Sequence, residues 1–151
     1  RTFPEEQAKV LWNSLYCVLK AISIVHPEVG YCQGMNFLCM RLLEILDDEM
    51  AFWMMDYLLR RFTQLSTNYK SPESVQLQNH VFTKLFEKHL KEVHDVCADQ
   101  MITPLLFTTP WFITFFSSIL PKELFCRIFE CLLSEGYKII YRAGLAIMKH
   151  K

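Results

Sequence analysis

Three observations predict an all-α, multi-helix domain with no sheet. Apolar residues recur at helical spacing throughout, and no stretch alternates with period two for long enough to make a strand. The chain is 52% hydrophobic and 14% aromatic, with only four glycines and six prolines, which is the composition of a packed interior. Its 151 residues suffice for one domain with a substantial core.

A first helix is expected over Glu6 to Val25, with Val10, Leu11, Leu15, Val18, Leu19 and Ile22 on one face. Pro27 ends it, because a residue before proline is pushed out of the helical region. Met35 to Leu46 is apolar almost all round and predicts a helix enclosed by others. Asp47 then caps a helix with Asp48 and Glu49 in its first turn and Phe52, Trp53, Met54 and Leu58 behind them. The polar stretch TQLSTNYKSPES reads as a linker. Ser71 and Pro72 start the next helix, with Val75, Phe82, Leu85 and Phe86 in register. Pro104, Pro110 and Pro121 are expected to mark boundaries, and WFITFFSSIL between the last two reads as a core helix. As a helix it would be about 15 Å long, half the hydrocarbon thickness of a bilayer. The last two helices are expected over Lys122 to Ser134 and Lys138 to His150, the first closed by Gly136.

Sixteen basic and sixteen acidic side chains cancel without clustering, which argues against a nucleic-acid partner. Six cysteines show no CxxC pair or finger-like spacing, so they read as small apolar residues of a reducing compartment. His89 and His94 are five apart, which suits no metal site and suggests surface positions. Glu5 and Glu6 stand where a signal peptide would be apolar. No transmembrane segment is expected.

HPEVGYCQGMNF, residues 26 to 37, departs from this pattern. Gly30 and Gly34 enclose Tyr31, Cys32 and Gln33 at the mouth of an apolar helix. The first N–H groups of that helix would point at an occupant of the loop and favour an anion or a polarised water. Glycines allow close backbone approach, and a primary amide can both donate and accept. Residue chemistry alone leaves a plainer reading open: an interhelical turn with a solvated glutamine. No histidine is in a recognisable relation to Cys32, so a nucleophilic role is disfavoured.

GYCQG resembles the YxQG motif of TBC domains, helical GTPase-activating domains for Rab GTPases. The opening RTFP resembles the end of that family's IxxDxxR motif. PWFITFFSSILP resembles its aromatic segment, and RIFECLLSEGYKIIYRAGLAIMK its closing pattern, with Phe129 and Glu130 where the family has tryptophan and aspartate. The resemblance implies a TBC-like fold and a single domain over 1–151, the central part of that domain, with family helices missing at both ends.

The resemblance further implies that Arg1 is an arginine finger and Gln33 a glutamine finger that orients the attacking water in trans. Gly30, Tyr31, Gly34 and Asn36 would support the loop. A terminal arginine is otherwise ordinarily solvated. The partner would be a Rab-family small GTPase carrying the GTP and magnesium, with no cofactor held by this chain. A cytoplasmic location is implied, peripheral on endomembranes, with membrane contact only through the lipidated GTPase. The alternative is a non-catalytic TBC-like module that binds GTPases or other proteins as a helical scaffold.

Overall fold

Leu15, Val18 and Ile22 lie on one side of a helix turning every 3.6 residues, and their burial fixes which face of the first helix is packed. A computed structural model describes residues 5–150, and in it this helix, α1, runs Glu5–Val25. Val10, expected on the packed face, is 66% exposed. On a helix turning every 3.6 residues it points roughly a third of a turn away from the face that Leu15, Val18 and Ile22 bury, whereas Leu11, on that face, is half-buried. By length and composition α1 alone among the described residues could cross a bilayer, yet it packs on α2 (Met35–Leu43) and α3 (Asp48–Arg61).

α2 ends at Leu43, short of the expected Leu46, in a turn where Glu44, Ile45 and Leu46 donate back to Met40 and Leu42 carbonyls. Nor is it enclosed on all sides. Met35, Leu38, Cys39 and Leu42 are buried, whereas Phe37 is exposed. Asp47 caps α3 as its sequence predicts, its carboxylate accepting from the Met50 N–H at 2.8 Å. The face α3 buries is carried by Ala51, Met55, Asp56, Leu58 and Leu59, and Trp53 is exposed.

The stretch read as a linker is instead largely helical: α4 spans Thr63–Lys70. Its Leu65 and Tyr69, four apart, are buried, and α4 packs on α3. Packing of that pair outweighs a composition poor in helix formers. These four helices form one compact unit, which ends at Lys70.

A second unit begins at Ser71. It comprises α5 (Pro72–His89), α6 (Lys91–Asp99), α7 (Leu105–Thr114), α8 (Lys122–Glu135) and α9 (Lys138–Lys149). Pro72 occupies the first turn of α5, where its missing N–H costs nothing. Pro104 and Pro121 stand at helix starts as expected, but Pro110 lies inside α7 with its ring exposed. WFITFFSSIL is correspondingly not one helix. Phe115 (φ 50°) and Phe116 (φ 67°) turn left-handed and end α7, while both rings are fully buried. Burial of two aromatic rings outweighs the ~1–2 kcal/mol that each left-handed residue costs. Gly136 closes α8 at φ 89°. No strand occurs among the described residues.

Candidate functional site

The loop between α1 and α2 is built around His26. Its carbonyl accepts from the Val29 N–H at 3.0 Å and the Gly30 N–H at 2.8 Å, which folds the chain back just past Pro27. Gly30 then takes φ 62° and Gly34 φ 109°, both in the region where a Cβ is disfavoured. Between these glycines Tyr31 and Gln33 are exposed and Cys32 is half-buried. Gln33 therefore stands outward at the start of α2, next to a buried Gly34.

The helix start is partly closed by the chain itself. The Gly34 N–H donates to Asn36 Oδ1 at 3.2 Å, the Met35 N–H to the Cys32 carbonyl at 3.1 Å and the Phe37 N–H to the Gly34 carbonyl at 3.1 Å. Two of the first helical N–H groups, those of Met35 and Phe37, are thus engaged within the chain, which narrows the room expected for an occupant. What the loop offers a partner is the side chain of Gln33. Asn36 Oδ1 ties the end of the loop through Gly34, and Met35 Sδ accepts the Cys32 N–H at 3.2 Å.

Cys32 gains no nucleophilic character here, since partial burial pushes its thiol pKa up. Burial likewise pushes Cys39 up, to about 12. None of the six cysteines is disulfide-bonded, though Cys17 and Cys131 are exposed rather than packed. His89 is exposed as expected, while His94 is half-buried with its ring edge-on to Phe86. No group of three or more metal-ligating side chains converges among the described residues. Arg1 and the rest of RTFP lie outside the described residues.

Beside the loop a groove of about 490 Å³ runs along α1. Trp12, Tyr16, Lys20 and Ser23 line it from the helix, and Tyr31 and Asn36 from the loop side. Trp12, Tyr16 and Tyr31 are all more than half exposed. Large apolar surface grouped beside a polar loop is the kind of surface that partners cover.

Two residues that sequence reasoning passed over hold this region. His26 is buried, and its Nε2–H donates to Asp56 Oδ1 at 2.8 Å. Asp56, also buried, accepts from Arg60 Nε through both oxygens at 2.9 Å. Burial raises the Asp56 pKa, but hydrogen bonds from His26 and Arg60 more than offset this and leave it below its ordinary value. The legible cue was an acid inside the apolar run FWMMDYLL, which requires a partner if that face is packed.

Comparison with known proteins identifies the family. The model of the Rab-GTPase-TBC domain matches residues 1–151. Growth hormone-regulated TBC protein 1 of Xenopus tropicalis is 36% identical over 99% of the chain, and that of Rattus norvegicus 35% over 99%. The chain spans 45% and 54% of those relatives, about half their length. TBC1 domain family member 1 of Homo sapiens is 31% identical over 91% of the chain, which covers 12% of it. Matched along its whole length by the family model, the chain belongs to the Rab-GTPase-TBC domain family.

Proposed function

We propose that this chain carries the catalytic surface of a GTPase-activating protein for a Rab-family small GTPase. Its finger residues would be Gln33 and Arg1. The observation that carries this reading is the outward placement of Gln33 between two glycines of positive φ, at the start of a helix whose Met35 and Phe37 N–H groups are engaged within the chain. An amide presented in this way can enter another protein's active site and hold the attacking water by hydrogen bonds.

Hydrolysis of GTP is largely a matter of positioning water and stabilising charge on the transferring phosphoryl group. Gln33 serves the first task and Arg1 the second. A guanidinium is effective there when it is held in place in a site that excludes water. GTP and magnesium arrive with the partner, and this chain contributes side chains alone. The groove along α1 offers that partner contact area beside Gln33. Such an activator works on the cytoplasmic face of endomembranes, where it meets a lipidated GTPase.

The test is stimulated GTP hydrolysis by the full-length protein across a panel of Rab GTPases. Arg1→Ala lowers the stimulated rate by about 10³-fold or more, the usual worth of an arginine finger. Gln33→Ala lowers it by about 10²-fold or more, as a misplaced water does. Unchanged turnover in both variants, with folding intact, would sink the two-finger mechanism. The exposed aromatic groove also suits a binding module without catalysis. That reading predicts GTP-dependent binding and no acceleration.

A further inference from the structure

We infer that the buried contact between His26 and Asp56 is the anchor that fixes the loop bearing Gln33, which makes His26 a positioning residue for that glutamine. This rests on the finger reading of Gln33 only for its functional consequence. The anchor itself stands on geometry.

His26 acts on the loop through both its halves. Its backbone carbonyl accepts from the N–H groups of residues 29 and 30, so it defines where the loop turns. Its side chain, one residue past the end of α1, binds Asp56 on α3 at 2.8 Å. Asp56 is held chiefly by its own burial on α3, and the largely exposed Arg60, one helical turn further along, adds a bond to both carboxylate oxygens. A bond to a buried ionised acceptor is stronger than one between neutral groups. At the far end of the loop, Met35 is fully buried and Gly34 is tied to Asn36. Only residues 31 to 33 lie between these two fixed ends, so Gln33 can move little while both hold. Releasing His26 frees one end of a short arch.

Glu28 makes a second, weaker contact, its Oε1 3.6 Å from His26 Nδ1 and 3.8 Å from Lys70 Nζ. Glu28 is about half exposed, and charge pairs of that kind contribute little. The Asp56 contact is the one that decides the geometry.

The experiment uses the full-length protein and reads two quantities for wild type, His26→Ala, His26→Gln and Asp56→Leu. Hydrogen exchange of residues 29 to 34, without any GTPase, reports the anchor directly. Rab-stimulated hydrolysis reports its consequence. His26→Ala is expected to speed loop exchange by about tenfold or more while the buried segments of α1 and α3 stay protected. Stimulated kcat falls by about tenfold, with KM for the GTPase within about threefold, because the glutamine is misplaced rather than the surface lost. His26→Gln, whose amide N–H can replace Nε2–H, recovers most of both. Asp56→Leu keeps the shape without an acceptor, and it reproduces the loosening if His26→Ala does not fold.

Unchanged loop exchange in a folded His26→Ala protein overturns the anchor. So does loosening spread evenly over α1 and α3, or a His26→Gln protein as defective as alanine. Failure of both His26→Ala and Asp56→Leu to fold overturns it too, since the contact would then serve the whole unit. Loosening of the loop in variants whose hydrolysis equals wild type, with Gln33→Ala also neutral, leaves the anchor standing and overturns the finger reading alone.

Discussion

Gly34 and Gly30 look equivalent in sequence and are not equivalent in the backbone. Gly30, at φ 62°, lies where asparagine is tolerated, and nothing lies within 4 Å of a Cβ built on it. Gly34, at φ 109°, lies beyond that region and is itself buried. Gly30→Asn should therefore leave melting temperature and loop exchange near wild type. Gly34→Val should cost ~1–3 kcal/mol, the usual penalty for a strained backbone position. For a chain of this size that is a fall of about 2–4 °C per kcal/mol. Equal losses in the two variants would contradict the distinction. That both glycines punctuate a loop was legible from their spacing around YCQ. Which of them is irreplaceable was not, because φ depends on how α2 is docked.

At the scale of elements, caps were the most legible feature and packing partners the least. Asp47 was readable as a cap from the acid-rich first turn behind it, and its bond to the Met50 N–H makes Asp47→Ala cost ~1 kcal/mol. A thermal melt of that variant against wild type measures the loss. Gly144 gave no comparable signal. It lies on α9, and a Cβ there would meet Phe82 Cε2 at 2.8 Å and Trp111 Cζ3 at 2.9 Å. Those rings also contact each other edge-on at 5.6 Å, so neither can yield freely. Gly144→Ala, which improves intrinsic helix propensity, should nevertheless destabilise by ~1–3 kcal/mol through overpacking. A raised melting temperature would show that the rings can shift. The same principle accounts for α4: no local preference announces a helix whose formation depends on burying Leu65 and Tyr69.

For the whole molecule, Asp56 sets an expectation for acid stability. Its pKa is lowered in the fold through the hydrogen bonds from His26 and Arg60, which exceed the cost of burial. A carboxyl depressed in this way stabilises the fold above its unfolded pKa of about 3.9, and the benefit fades as pH falls through the folded value. Asp56→Asn should thus be less stable than wild type at neutral pH, with the difference shrinking below about pH 4. Melting temperatures of both proteins at pH 7 and pH 3 decide the point. A gap of the same size at both would contradict it.

Sequence alone determined the all-α class, the starts at Asp47, Ser71 and Pro121, the stop after Val25 and the family motif around Gln33. These are local properties, since hydrophobic period, caps and proline act within a turn or two of the chain. Only the tertiary structure decided that the presumed linker folds as α4 and that α7 stops at a left-handed pair of phenylalanines. It alone brought His26 to Asp56, thirty residues later in the chain, under the loop that presents Gln33. A buried hydrogen bond between distant residues leaves no periodic trace in sequence, because its strength comes from the low-dielectric surroundings that packing creates.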